Sequence, residues 1–267
     1  TRVGCGFITW SLAKRPVLLE LVLAHSPAAV MLSFGSPVPF APRIKGAGAK
    51  LICQVQNMEH ARAAVDVGAD IIVAQGAEAG GHGLVRATFT LVPEIADYLA
   101  KAAPATVLVA AGGVADGRGL AAALMLGADG ALIGSRFWAS KEALVHAAFH
   151  KAAIDADGDA TTRTTVVDIV RKADWPKPFT ARVMKTRFVN EWHGREAELA
   201  ESALVEREMN RYVTAMQSGD PDNTGVWVGE AAGLIHDVRP AAELLQKIAE
   251  DAEHLLKDKA RGHTKVG

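Results

Sequence analysis

The run Ala74-Gln75-Gly76-Ala77-Glu78-Ala79-Gly80-Gly81-His82-Gly83 concentrates groups that could do chemistry. It places an amide, a carboxylate and an imidazole among four glycines. His82 is the best candidate for proton transfer, because an imidazole can take or give a proton near neutral pH. Glu78 could be a reacting carboxylate, although a structural role in holding a neighbouring loop is the preferred reading. Gln75 follows an apolar run, so its amide implies a specific hydrogen-bond partner, either the edge of a flavin ring or a backbone group. Glycines without the usual polar turn residues mark backbone that something approaches closely.

Two later glycine segments suggest anion binding. One is Ala110-Ala111-Gly112-Gly113-Val114, followed by Asp116-Gly117-Arg118-Gly119 at the start of a helical stretch. The other is Ile133-Gly134-Ser135-Arg136-Phe137. Amides left free at helix starts favour a phosphate. The plainer alternative is that these glycines only permit tight turns. Their occurrence together, late in the chain, favours phosphate binding.

The elements that must position these residues follow a repeating pattern. A helical stretch ends in Gly68-Ala69-Asp70, then Ile71-Ile72-Val73 follows. Another ends in Gly127-Ala128-Asp129-Gly130 before Ala131, and a weaker copy is Gly48-Ala49-Lys50 before Leu51. Glycine just past a helix end is an expected cap. Six strands are predicted: Val3–Thr9, Ala29–Phe34, Leu51–Val55, Ile71–Ala74, Val107–Ala110 and Ala131–Ile133. Helices are predicted near Val17–Ala24, Phe40–Ala47, Met58–Val67, Val92–Ala102 and Arg118–Leu126. The strands show little alternation, which predicts a parallel sheet buried on both faces.

This is a βα array, and its class is α/β of the (β/α)8 TIM-barrel type, with six of the eight strands visible. Active sites of such barrels lie at the strands' carboxyl ends, which is where His82 falls. The expected division is a barrel portion over 1–140 and a smaller, mostly helical lobe over 141–267. In that lobe Lys141–Ala156, Glu196–Gln217 and Pro240–Leu256 read as helices. Thr161–Thr165 and the proline-broken Asp174–Phe179 separate them. Trp192-His193-Gly194-Arg195 reads as a turn.

Composition narrows the function classes. The 267 residues are 49% apolar and carry 29 basic against 30 acidic residues. That balance argues against nucleic acid and anionic membrane surfaces as partners. No apolar run nears the roughly 20 residues that span a bilayer. Thr1-Arg2 leads directly into a strand-like run, with no secretory pattern. Cys5 and Cys53 lie in predicted strands and read as buried, reduced thiols, which fits a cytoplasmic location. His60, His146 and His150 lie on helical stretches and are expected to be solvated, and His25 reads as a helix-end cation. The histidines show no metal-ligand spacing, and no serine-nucleophile elbow is present.

Gln75–Gly83 resembles the signature of the nitronate monooxygenases. Ala110–Gly113 with Asp116–Gly119, and Gly127–Gly130 with Gly134–Phe137, resemble that family's flavin phosphate segments. Val3–Trp10, Leu32–Gly35 and Val228–Ile235 extend the similarity over almost the whole chain. A similar histidine-bearing signature occurs in FMN-dependent enoyl-acyl-carrier-protein reductases. The resemblance implies an FMN-bound barrel with a smaller lobe over the flavin. It implies that His82 is the catalytic residue and that Gln75, Gly80 and Gly81 lie along the flavin. Gly112, Gly113, Gly134 and Ser135 would form the phosphate cradle. Ser135 stands where the family's usual residue is threonine, and Gly6 where many members place asparagine. Two further βα units open the family's pattern, so this chain is expected to start at the third strand, with exposed sheet edges that favour a homo-oligomer.

The expected function is oxidation of a nitronate or nitroalkane by molecular oxygen. The alternatives are an FMN- and NAD(P)H-dependent enoyl-thioester reductase, or a cofactor-free barrel serving as a binding module.

Overall fold

The computed structural model describes residues 3–262 in backbone and 3–258 in side chains. Thr1-Arg2 and 263–267, which the domain expectations include, lie outside the described residues.

The chain folds as two compact units. The first takes the described residues up to Ala77 with Leu84–Ala111 and Ala123–Leu132. The second takes Glu78–Gly83, Gly112–Ala122 and the described residues from Ile133 onward.

The first unit is a six-stranded parallel sheet. Its strands are β1 (Gly4–Ile8), β2 (Ala29–Ser33), β3 (Lys50–Val55), β4 (Ile71–Gln75), β6 (Val107–Ala111) and β7 (Gly130–Leu132). They lie in the order β1-β2-β3-β4-β6-β7. All six predicted strands are present. The Gly-Ala-Asp repeat has a specific purpose. Gly68 and Gly127 adopt left-handed backbone at +70° and +94°, ending the preceding helices. The aspartate carboxylate then accepts the amide of the second residue of the neighbouring strand: Asp70 from Leu51 at 2.9 Å, Asp129 from Leu108 at 2.8 Å. In the weaker copy Lys50 replaces the aspartate, and its ammonium pairs with Asp70 at 2.6 Å.

β4 is buried without alternation from Ile72 to Gln75, as expected of a doubly covered strand, whereas burial alternates along β3 and over the first residues of β2 and β6. Val30, Leu32, Leu51, Cys53, Ile72 and Leu108 enter the core against the helices. The intervening Met31, Ile52, Gln54 and Val109 stay half-buried, and Val107 is 40% exposed. The helix expected from Val92 begins at Thr88, with Pro93 inside it.

The second unit contains a three-stranded antiparallel sheet in the order β5-β9-β8, with β5 Gly81–Gly83, β8 Thr161–Thr164 and β9 Thr180–Met184. The sequence reading assigned no strands here. The signal was the threonine run, whose β-branched residues suit a pleated surface. Val166, Val167, Val183, Phe188 and Trp192 form this unit's principal core. The long helix expected over Glu196–Gln217 is broken into Glu196–Leu199 and Ser202–Ser218. The break lets Leu199 enter the core while Val205 and Tyr212 keep one buried face.

Candidate active site

His82 is the central residue of β5, paired in register with Ala181 of β9. Residues directly opposite share a sheet face, and Ala181 faces the second unit's apolar core. The imidazole is therefore held against packed structure. Its Nε2 lies 2.9 and 3.0 Å from the two carboxylate oxygens of Asp168. The side chains are 8% and 5% exposed. Trp175 stacks on the imidazole with centroids 3.4 Å apart and planes 8° from parallel. Trp227 approaches at 5.6 Å and 40°, and the Arg171 guanidinium lies 5.4 Å from the Trp227 ring.

Asp168 comes from the short helix Val166–Val170, where it is the one charged residue of Val-Val-Asp-Ile-Val. A carboxylate inside an apolar run needs a buried partner. That was the available signal, and the sequence reading missed it. Trp175 and Trp227 were also missed, because nothing local links either tryptophan to a histidine about 90 or more positions earlier in the chain.

The other signature residues of the second unit meet at the segment Val228–Glu230. Gly229 N donates to Ser135 Oγ at 2.9 Å, and Glu230 N donates to the Glu78 carbonyl at 2.9 Å. A Cβ on Gly80 would lie 2.7 Å from Gly229 N and from Val228 C. One on Gly113 would sit 3.5 Å from Glu78 Cβ. Thus Gly80, Glu78 and Ser135 meet one backbone segment, and Gly113 lies beside the Glu78 side chain. Gly80 lacks a side chain because Val228–Gly229 occupies the space.

The remaining glycines differ in kind. Gly112 and Gly113 have φ of +104° and +76°, a conformation that glycine alone adopts freely. Gly81 is also left-handed, and a Cβ on it or on Gly134 would meet nothing within 4 Å. The helix start after Gly113 does not offer the amides expected there. Asp116 Oδ1 already accepts from Arg118 N at 2.9 Å and Gly119 N at 3.1 Å. Burial raises the Asp116 carboxyl, but these bonds and the Arg118 charge outweigh it and hold it below the ordinary range.

Gln75 closes β4 in the first unit, where its Oε1 accepts from Gln54 Nε2 at 2.6 Å and Gln56 Nε2 at 3.0 Å. The partner that its apolar context demanded is thus a pair of side-chain amides. His150, expected to be solvated, is buried and lies 2.9 Å from the Trp138 carbonyl through Nε2, because it occupies the inner side of its helix. His60 is half-buried against Gln56. Cys53 is buried, which pushes its thiol up to about 12. Among the described residues no helix is long and apolar enough to cross a membrane.

Known proteins match this chain along most of its length. The family model described as nitronate monooxygenase covers residues 13–251. A nitronate monooxygenase of Neurospora crassa is 31% identical over 96% of this chain and 72% of its own length. Nitronate monooxygenase npaC of Metarhizium robertsii is 34% identical over 95% of this chain and 74% of its own. Among solved structures, FabK from Thermotoga maritima superposes with a TM-score of 0.83 at 29% identity, covering 98% of this chain and 79% of that one. Nitroalkane oxidase from Streptomyces ansochromogenes gives 0.75 at 25%, covering 90% and 68%. The fold is α/β of the TIM-barrel type, as expected. On the family match and on relatives above 30% identity over nearly its full length, the chain belongs to the nitronate monooxygenase family.

Proposed function

We propose that this chain oxidises nitronates or nitroalkanes with molecular oxygen, and that FMN is its cofactor. Family membership and the likeness to nitroalkane oxidase support a flavin-dependent oxidoreductase. The observation that carries the reading is the enclosed His82–Asp168 pair in the unit that also holds the clustered glycine loops.

The residues present fit a phosphate-bearing cofactor. Gly134 and Gly81 border open space, and Gly112-Gly113 has backbone that only glycine adopts freely. We assign Gly112, Gly113, Gly134 and Ser135 to the phosphate, with the Gly113 amide as a donor. Asp116 occupies the following helix start, so the cradle would rely on loop amides. Gly80, Gly81 and Gln75 are assigned to the ring and ribityl portions on the family resemblance. Bound FMN would supply the electron transfer from substrate to oxygen.

His82 would take the α-proton of a neutral nitroalkane, or donate a hydrogen bond to an anionic nitronate. Asp168 would hold the imidazole in the tautomer with Nε2–H, making Nδ1 the proton-accepting atom, and would stabilise the imidazolium formed. Trp175 and Trp227 would exclude water from the pair and so strengthen its electrostatics. His82→Asn should retain FMN, seen as the visible flavin band, and depress turnover. Unchanged steady-state turnover would reject the assignment.

The FabK likeness, with the shared histidine signature, favours a second reading as an FMN- and NAD(P)H-dependent enoyl-thioester reductase. Nicotinamide oxidation with an enoyl thioester, but none with nitronate, would select it. We also propose a cytoplasmic location, supported by two free cysteines, and a homo-oligomer, supported by apolar side chains left exposed at Ile8 and Leu132 of the edge strands. Light scattering of the purified protein tests the latter.

A further inference from the structure

A nitronate is an anion, and the His82–Asp168 pair offers it no net positive charge. With a neutral imidazole the pair carries one negative charge, and with an imidazolium it carries none. A nitronate beside His82 therefore meets the Asp168 carboxylate, like charge to like charge. Both side chains of the pair are nearly enclosed, so little water screens that repulsion. A neutral nitroalkane meets no such penalty. A preference for the anion requires a cation held near the pair by other residues.

Arg171 meets that requirement. It caps the carboxyl end of the helix Val166–Val170 with helical backbone, φ −90° and ψ 0°. Residues three apart on a helix are neighbours on its surface, so Asp168 and Arg171 leave the helix on one side. Asp168 reaches His82 directly. Arg171 reaches the same site across Trp227. Its guanidinium carbon lies 5.4 Å from the Trp227 ring centroid, and that ring lies 5.6 Å from the imidazole. Laid end to end, these distances put the guanidinium no more than about 11 Å from the imidazole centroid. Trp227 is itself held on both sides. The Val226 carbonyl accepts from Met184 N at 2.9 Å, and Gly229 N donates to Ser135 Oγ at 2.9 Å. An indole face attracts a cation, which restricts where the long Arg171 side chain goes. Arg171 is exposed, and among the described residues no carboxylate is in ion-pair contact with it. Its neighbour Lys172, by contrast, is paired with Glu206.

We propose that Arg171 is a specificity-determining residue that draws the nitronate anion to His82 and sets its preference over the neutral nitroalkane, with Trp227 as the platform for the guanidinium. A planar guanidinium suits the two oxygens of an O–N–O group as it suits a carboxylate. Asp168 and Arg171 then divide the substrates between them. The carboxylate favours proton removal from the neutral nitroalkane, and the guanidinium offsets its repulsion of the anion. The role in specificity rests on the nitronate reading above, whereas the attraction of a planar anion to Arg171 does not.

The test combines two measurements on the full chain. The first is oxygen consumption at equal flavin content, with a nitronate and the neutral nitroalkane of the same carbon skeleton. The readout is the ratio of the two kcat/KM values. Arg171→Gln should lower that ratio about two- to fivefold, the worth of one exposed charge pair, through KM for the nitronate. The difference from wild type should shrink in about 0.5 M salt, which screens exposed charges. Arg171→Lys keeps the charge and should give a ratio above that of Arg171→Gln. The second measurement needs neither flavin nor turnover. Nitrate, a planar anion with the same O–N–O edge, replaces chloride at constant ionic strength while NMR follows the Trp227 indole N–H, assigned with Trp227→Phe. The wild-type signal should shift saturably, and Arg171→Gln should weaken the apparent affinity by about the same factor. An unchanged ratio in Arg171→Gln overturns the proposal. So do equal ratios in the glutamine and lysine variants, and so does a Trp227 signal that ignores nitrate in the wild type. A flavin-loaded wild type that consumes no oxygen with nitronate defeats the nitronate reading, and the nitrate titration then decides Arg171 alone.

Discussion

Asp168→Asn isolates what the buried carboxylate contributes. Asparagine keeps the size of the side chain, and its carbonyl can still accept from His82 Nε2, now at 2.9–3.0 Å from the carboxylate oxygens. The charge is lost, and one of the two acceptor oxygens near Nε2 becomes an NH2 donor. A hydrogen bond to a charged group is worth about 1.5–3 kcal/mol, against about 1 kcal/mol for a neutral one. The low exposure of both side chains argues against strong solvent screening. The difference of about 0.5–2 kcal/mol corresponds to a factor of roughly 2–30 in rate. It should act only where the imidazole gains a proton in the transition state. A neutral nitroalkane requires that step, and a preformed nitronate does not. We therefore expect kcat/KM to fall roughly 2–30-fold with nitroalkane and to change little with nitronate, at equal flavin content. Steady-state oxygen consumption with each substrate reads this directly. Equal losses with both substrates would assign Asp168 to holding the fold or the flavin, and no loss with either would remove it from the reaction.

Three further outcomes are expected. Gly134→Ala should fold normally, since its Cβ meets open space, but should bind FMN more weakly. Gly80→Ala should lose about 1–3 kcal/mol of stability in chemical denaturation, because its Cβ would press on the backbone of Val228–Gly229. Burial raises Asp70, but the bonds from Lys50 and the Leu51 amide and the charges of Lys50 and Lys45 outweigh it, so its folded-state carboxyl lies below 3.8. Its contribution, about 1 kcal/mol, is therefore present above that value and lost as pH falls through the folded-state value. Asp70→Ala should be less stable than wild type at pH 7, and the gap should close in strong acid. Cys53, buried with its thiol pushed up to about 12, should resist alkylation at pH 8 until the protein is unfolded.

The parallel array was legible because its signals are local. Gly-Ala-Asp before an apolar run encodes a left-handed helix stop and a carboxylate that caps the neighbouring strand, and both are seen at Gly68–Asp70 and Gly127–Asp129. The small antiparallel sheet was not legible. β5 is three residues long with two glycines, and its partner β9 lies about a hundred positions away. The capped helix start at Asp116 was missed for a different reason. An aspartate immediately before the helix competes with an anion for the same amides, and the neighbouring glycines suit either arrangement.

Residue types and spacing by themselves determined the six parallel strands, the family and the candidacy of His82, because periodicity, helix caps and a glycine-flanked imidazole are written in consecutive positions. Only the tertiary structure decided what that imidazole touches. Asp168, Trp175 and Trp227 reach it through strand pairing and core packing, and the Gln54, Gln56 and Gln75 amides meet only when β3 and β4 lie side by side. Such pairings depend on which distant segments share a buried face, a quantity set by the free energy of the whole fold and carried by no local stretch of chain.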